Sequence, residues 1–478
     1  MSEELSGLVK DLMNQSYSPS EIKTVLSKKG FLDSDIDLMV EEIAGISKSD
    51  KCKENKSLSK RLALKEIFDR IGYGFVSHPF INILFSLTGA SYFLIGLING
   101  LRTVLSLLFS SFIREFSNVH IINKKFISRS GILYGFSFLV MSFAVVLRSP
   151  ALYALAFLFG SLGIVAHGEL YSRFIKGHLK KEHMGSFLSK IGSYGMIITI
   201  ISLLLSGYIM ELFPLLGKEM FLPFLGSVKI YGYLISFEIT AFAFIFSGLT
   251  MSYVKQKIVS DAKMYSFIGE FFTRYRIHSK FFLHNKPVLL LVLTTIITAV
   301  VQVLGNSFYG LFIYEHFKNQ FLGGFLNVAI IFSISAVISF IGPMFTKILH
   351  KHIGISPMLV FGTLLSAMLP LSLAYNPNLV VVGISAALSI LGASILGMAQ
   401  GYFSHKLLSE EERRIYFSFI GVAAAIPILI LTPIGAALAS IYGLALLFKI
   451  IILMLVFVVA PLYFLIVVLY ERSIEKTF

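Results

Sequence analysis

The sequence has no tryptophan and a single cysteine, Cys52. One thiol excludes an intramolecular disulfide and any multi-cysteine metal site. Without tryptophan, anchoring at a membrane interface falls to tyrosine, lysine and arginine. Charge is scarce as well, with Asp, Glu, Lys and Arg making up 14% of the residues. There is no Gly-x4-Gly-Lys-Ser/Thr phosphate loop, which argues against ATP-driven transport by this chain, and no His-Glu-x-x-His. The clustered acids that a membrane-embedded transferase needs are absent. No catalytic residue, metal site or cofactor is therefore expected, and the chain is not read as an enzyme. The first ~60 residues are polar, so no cleavable signal sequence is visible and the first apolar run serves as the insertion signal.

Apolar sequence is what the chain has in excess. Hydrophobic residues make up 56% of it, and the mean hydropathy is +0.80. A soluble domain cannot hide that much apolar surface, so the class is polytopic membrane protein. The net charge of +14 does not point to nucleic acid, because the basic residues sit in short loops between apolar runs. Runs long enough to cross a bilayer are expected at 73–89, 91–112, 130–147, 151–173, 186–210, 229–253, 287–313, 322–346, 357–375, 378–402, 415–440 and 444–470. Lipid offers a backbone no partners, so these must be helices. A β-barrel would need dyad alternation, which the sequence lacks. The expected fold class is all-α: twelve transmembrane helices in two six-helix bundles, 71–253 and 287–471, with a tail at 472–478.

The one long polar stretch after Ile71 joins the bundles, at 254–286. It carries Lys255, Lys257, Lys263, Arg274, Arg276, Lys280 and Lys286 against Asp261 and Glu270. The other loops on that side hold Arg114, Lys124, Lys125 and Arg129; Arg173, Lys176, Lys180 and Lys181; Lys347 and Lys351; and Lys406, Arg413 and Arg414. Loops on the other side hold little beyond Arg148, Lys218, Lys229 and Lys318. The positive-inside bias places both termini in the cytoplasm of a multi-pass cell-membrane protein.

Ahead of the bundles, residues 3–45 show three short amphipathic helical patterns. They are Leu5, Leu8, Val9 and Leu12; Ile22, Val25 and Leu26; and Ile36, Leu38–Val40 and Ile43. Ser18-Pro19-Ser20-Glu21 starts the second and Lys28-Lys29-Gly30 stops it. Residues 1–46 resemble a small UBA-like three-helix module, with Gln15-Ser-Tyr-Ser18 standing where that family often has Met-Gly-Tyr/Phe-Ser. The resemblance implies a cytoplasmic protein partner; a generic helical cap or assembly tail is the alternative. Residues 47–70 are expected as a charged linker followed by a helix lying along the membrane. That helix would turn Leu62, Leu64, Ile67 and Phe68 inward and hold Lys60, Arg61, Lys65 and Arg70 at headgroup level.

The two halves look related. Leu179-x-x-Glu182, Ser189-x-Ile191-Gly192 aligns without gaps on Leu408-x-x-Glu411, Ser418-x-Ile420-Gly421, and the same register sets Gly163 and Gly168 on Gly392 and Gly397. Such small residues are expected to let spans 4 and 5, and 10 and 11, pack closely. Over about 400 residues this architecture resembles the major facilitator superfamily (MFS). Gly342-Pro-Met-Phe-Thr-Lys347-Ile-Leu-His-Lys351 resembles a degraded copy of that family's loop signature, with Thr346 in place of the acid. A weaker copy is Ser111–Glu115 followed by Lys124-Lys125. The resemblance implies alternating access, with Gly342, Lys347 and Lys351 in a gating loop.

Polar residues inside apolar helices are expensive and usually face protein or a water-filled cavity. Arg102, in the middle of span 2, suits an anionic group in a cavity or a structural ion pair; Asn99 shares its face. His78 and Asn82 lie four residues apart on span 1, beside Pro79. Gln302, Asn306 and Tyr309 form a stripe on span 7, which lines the cavity in the resembled family; Gln400 on span 10 is a further candidate. Glu238, Glu169, His167 and His78 are candidates for proton coupling, although Glu169 also stands in position to pair with Arg173. Pro427, Pro433 and Gly435 should loosen span 11. The main functional expectation is a secondary transporter of a small organic solute, in contact with membrane lipid and binding no nucleic acid. A non-transporting scaffold or receptor, or a translocase for a lipid carrier, is the alternative.

Overall fold

The computed structural model describes residues 2–14, 22, 25–27, 31, 33–119, 123–178, 181–213, 217–222, 226–254, 269, 286–375 and 377–475. The expected helix start and stop at 15–21 and 28–30, Leu179 and Lys180, the basic linker at 255–285 apart from Gly269, and the last three residues lie outside them. The chain forms two compact units, Met1–Ala63 and Leu64–Phe478.

In the first unit, α1 (Ser2–Asn14) and the start of α2 (Asp33–Phe75) contribute to one apolar cluster. Leu5, Val9, Ile22, Leu26, Ile36 and Val40 are buried in it, against Leu8, Leu12, Phe31 and Met39. Each of the three amphipathic patterns supplies part of this core. The charged stretch 47–60 is helical and continuous with α2. It contains neither glycine nor proline, and its Lys, Glu and Ser residues do not interrupt a helix already nucleated at both ends.

The second unit is helical apart from one hairpin. In order it holds the end of α2, α3 (His78–Leu87), α4 (Tyr92–Val119), α5 (Lys124–Val146), α6 (Pro150–His178), α7 (Lys181–Leu212), β1 (Lys218–Leu222), β2 (Gly226–Ile230) and α8 (Gly232–Ser252). The second half follows as α9 (Lys286–Phe317), α10 (Gly324–Ile353), α11 (Ile355–Ser366), α12 (Met368–Tyr375), α13 (Leu379–Leu407), α14 (Glu410–Tyr442), α15 (Leu444–Leu453), a π-helical turn (Met454–Val459) and α16 (Ala460–Glu475). Among the described residues, 11 helices are long and apolar enough to cross a membrane, and His78–Leu87 is a shorter apolar one. The end of α2 runs into α3, and residues 64–87 together would span about 36 Å at 1.5 Å per residue. The expected first span, 73–89, is thus divided between the end of α2 and α3, with a break at Val76 and Ser77. The antiparallel hairpin, with Lys218 opposite Ile230, was not expected.

Burial along this end of α2 differs from the expected faces of the 58–70 helix. Lys65 is 1% exposed, whereas Leu64 and Ile67 are 46% and 40% exposed. The expected orientation is reversed because Lys65 finds an acid inside the bundle. Gly72 and Gly74 allow the close fit: a Cβ on Gly72 would strike the Phe244 ring of α8, and one on Gly74 would strike Ser202 of α7.

Two prolines break helices, and both breaks are repaired in the same way. Pro79 has no N–H, so the carbonyl four residues earlier, at Phe75, loses its helical donor. The Ser206 hydroxyl on α7 donates to it instead, at 2.5 Å. Pro370 likewise frees the carbonyl of Ser366, which accepts from Ser389 on α13 at 2.9 Å. By contrast, α10 and α14 run through Pro343, Pro427 and Pro433 as single helices. The expected gating loop at Gly342, Lys347 and Lys351 is therefore helix, and the turn falls at Gly354.

The internal repeat holds, with a different neighbour. Gly163 of α6 packs on α5 (a Cβ would lie 3.1 Å from the Ser130 carbonyl), and Gly392 of α13 packs on α11 (2.7 Å from the Gly362 carbonyl). The glycines thus join span 4 to span 3 and span 10 to span 9. Gly168 and Gly397 have open space beside them.

Between the halves, α4 runs along α14, with Gly96 beside Ala436, Gly100 beside Thr432 and Ser111 beside Gly421, and polar contacts join the end away from the basic loops. Tyr92 donates to Glu315 at 2.6 Å, and the Phe93 amide donates to Ser440 at 3.0 Å. The Phe325 amide, in the first turn of α10, donates to Glu211 of α7 at 3.0 Å. Gly323, with φ +96°, lies where any Cβ would overlap the Glu211 carboxylate. Toward the basic end the same two helices lose their cover. Residues 184–194 of α7 bury no side chain, while Leu203, Ser206, Gly207 and Met210 are buried. On α10, Phe325, Val328 and Ala329 are buried, whereas Met344, Phe345 and Ile348 are 66%, 52% and 59% exposed. Thus α7 and α10 part toward the basic loops, whereas α4 and α14 stay in contact as far as Ser111 and Gly421.

Candidate functional site

Two polar clusters occupy the first bundle. The deeper one centres on Asp69 of α2. Lys65 lies 2.5 Å from its carboxylate, one helical turn away. Ser247 of α8 donates to it at 2.5 Å, and His167 Nε2 of α6 lies 3.1 and 3.2 Å from its two oxygens. Lys65 also sits 3.2 Å from the centroid of the Tyr171 ring. Gly131 of α5 admits His167, because a Cβ there would come within 3.0 Å of the imidazole. The other ring nitrogen, Nδ1, faces the Ile127 carbonyl at 3.1 Å. A carbonyl only accepts, and an ionised carboxylate only accepts. Both ring nitrogens are satisfied together when the Asp69–His167 pair holds one proton beyond neutral histidine and ionised aspartate.

The second cluster lies between α3, α4 and α9. Asn99 donates to the Asn82 side-chain oxygen at 2.9 Å. The Asn82 amide is 3.4 Å from His78 Nδ1 and 3.4 Å from the Asn306 carbonyl. The side-chain oxygen of Asn99 is buried and meets no donor. Arg102, one turn along α4, lies with its guanidinium 5.0 Å from the Phe157 ring centroid. It has no hydrogen-bond acceptor or acid among the described residues, which removes the structural ion pair as its explanation. Its charge acts on His78 and on Tyr134 of α5. His78, Arg102, Tyr134 and Tyr309 are each half-buried. Gln302 and Asn306 continue the Tyr309 stripe and are exposed.

The structure thus brings Arg102, Asn99, Asn82, His78 and Asn306 together, with Gln302 and Tyr309 along the facing helix. Gln400 lies elsewhere, hydrogen-bonded to the Tyr463 hydroxyl in the second bundle. His167 and Glu169 diverge as expected, but Glu169 pairs across helices and not along its own. Arg114 Nη2 and Nε donate to Glu169 at 2.7 and 3.1 Å, and Ser110 donates at 2.7 Å. The interhelical guanidinium fork displaces the expected local pair with Arg173. Glu238 is exposed on α8, outside both clusters. Gly342 packs on Ser394 of α13, and Lys347 and Lys351 are exposed.

Sequence reasoning missed Lys65, Asp69, Ser247 and Tyr134. The available signal was the Lys65/Asp69 spacing of four, which pairs the two on one helix face, followed directly by the small residues Gly72 and Gly74.

No family model and no curated protein matches this sequence. Solved structures do match. The nucleoside transporter NupG superposes with a TM-score of 0.63 at 12% identity, covering 87% of this chain and 99% of NupG. A bacterial homologue of the iron transporter ferroportin, in an inward-facing state, gives 0.60 at 14% identity, covering 86% and 98%. A bacterial homologue of the human lysosomal transporter Spinster, inward-facing and unoccupied, gives 0.57 at 13%, covering 86% and 97%. Likeness at such low identity establishes architecture alone, and with the helices above it makes this chain a multi-pass membrane protein of the major facilitator fold.

Proposed function

We propose that this protein is a secondary transporter that carries a small organic solute across the cell membrane by alternating access. The carrying observation is Arg102. A cation at the middle of a span costs about 2.5–3.5 kcal/mol on insertion scales, and such residues usually find a partner within the protein. Here it finds none among the described residues and lies half-buried over the Phe157 ring. A solute supplies the missing acceptor. Asn82, Asn99, Asn306 and Gln302 give the site its hydrogen-bonding groups.

In this reading both termini and the basic loops are cytoplasmic, and the side where α7 and α10 part faces the cytoplasm. The proton held between Asp69 and His167 is the coupling ion. Its site connects α2, α5, α6 and α8, so loading or losing it changes how the first crossing sits in its bundle. The Lys347/Lys351 end of α10 takes part in closing the open side. Residues 1–46 form a UBA-like module for a cytoplasmic protein partner, supported by their own apolar core.

The test is solute uptake into proteoliposomes over a panel of neutral, zwitterionic and anionic compounds, with and without an inward proton gradient. At least one compound is expected to be taken up, with loss of uptake in Arg102→Gln and loss of gradient dependence in His167→Gln. Absence of flux for every class would sink the transporter reading in favour of a scaffold, whose partner binding would vanish on deletion of residues 1–57.

A further inference from the structure

The charges around the cavity do not balance, and the imbalance defines a ligand. Lys65 is neutralised by Asp69 at 2.5 Å, Arg114 by Glu169 at 2.7 Å, and Arg70 lies 3.7 Å from Glu66. The proton of the Asp69–His167 pair sits behind the wall, since His167 is 1% exposed. That leaves Arg102, half-buried in mid-span, as a charge without a counter-charge among the described residues.

The surroundings of Arg102 are aromatic. Its guanidinium rests over Phe157, and Tyr134 lies within reach of its field. Tyr134 in turn packs edge-on to Phe244 at 4.5 Å, and Tyr73 packs edge-on to the same ring at 5.1 Å. Tyr73 is 38% exposed and Tyr134 is half-buried, so this wall presents rings to the space next to the charge.

We infer that the solute is an organic monoanion with an apolar, preferably aromatic, body. This rests on the cavity being the solute site, as proposed above. One anionic group on Arg102 makes the wall neutral. A second would enter a low-dielectric space uncompensated, at a cost on the scale of an unpaired charge in a span, equivalent to roughly 60- to 300-fold in affinity. A neutral isostere forfeits the charge-assisted hydrogen bonds to the guanidinium and should bind at least about tenfold more weakly. A small anion without a body, such as acetate, forgoes the aromatic wall.

Equilibrium binding to the purified full-length protein tests this without requiring turnover. Benzoate, indole-3-acetate and hexanoate would be compared with benzamide, phthalate and acetate by isothermal titration. The expected order places the monoanions with a body first, benzamide about tenfold or more behind benzoate, and phthalate about 60-fold or more behind. Arg102→Gln should abolish the preference for benzoate over benzamide, and Arg102→Lys should retain it; the lysine variant also shows that the site tolerates substitution. Equal binding of phthalate or benzamide, or an unchanged preference in Arg102→Gln, would overturn the inference. So would failure of all three monoanions to bind; uptake of a neutral solute in proteoliposomes would then leave the transporter reading standing alone.

Discussion

Replacing Lys65 by methionine should cost this protein more stability than any change at its lipid-facing surface. The Lys65 ammonium is 2.5 Å from Asp69, and both side chains are almost fully enclosed. At that distance and an effective dielectric of about 20, their attraction is roughly 6–7 kcal/mol, against a desolvation cost of several kcal/mol per ion. The pair is thus near balance as a whole, but either half alone is not. Lys65→Met takes the lysine charge from the buried Asp69 carboxylate and leaves it only Ser247 and His167 as donors among the described residues, and the expected loss is ~3–5 kcal/mol. Part of it comes from the contact with the Tyr171 ring at 3.2 Å. Asp69→Asn strands the ammonium and should cost a similar amount. The double variant removes both charges while Asn can still bond Ser247 and His167. It should therefore be more stable than the sum of the two losses implies, by at least about 2 kcal/mol. Reversible unfolding in mixed detergent–SDS micelles reads these differences. Additivity to within ~0.5 kcal/mol would mean that the two groups do not act as a pair, and the argument for a buried charge centre would fail.

Other consequences are smaller in scope. Ser206→Ala should cost ~1–3 kcal/mol by orphaning the Phe75 carbonyl, and less in a Pro79→Ala background, where the missing N–H returns; an equal cost in both backgrounds would refute the repair. Gly168→Ala and Gly397→Ala should stabilise by up to ~1 kcal/mol through helix propensity, since nothing occupies the space beside them. Gly392→Ala should instead destabilise by ~1–3 kcal/mol against the Gly362 carbonyl, and the same sign at all three sites would contradict the packing. Glu211→Ala removes the carboxylate that accepts from the first turn of α10 and should loosen the sealed end. In a Cys52→Ser background, a reporter cysteine at Asn306 should then label about tenfold faster from that side, given ~1.5–3 kcal/mol for a hydrogen bond to a charged group. Unchanged labelling would show that the seal rests on packing alone.

Much of this architecture was legible from composition and spacing alone. Runs of apolar residues fix the helices, because a backbone in lipid can satisfy itself in few ways. The Gly163/Gly392 correspondence disclosed the repeated half, since a close helix contact demands a small residue wherever it recurs. Arg102 was conspicuous for the same reason, as a charge too far from either end of its span to reach water easily. The identities of partners were not legible. Lys65 and Asp69 look like any surface pair four residues apart, and nothing local reveals that His167, 98 residues further on, will meet the same carboxylate. Glu169 had an equally plausible partner on its own helix and took one from α4 instead. Local periodicity sets which face a residue occupies; which face another helix covers is settled only when all the helices compete for contact in three dimensions. The sequence by itself determined that this chain crosses a membrane as paired bundles of helices. The tertiary structure alone decided which charges cancel, which one is left without an acid among the described residues, and where the helices of the two halves touch.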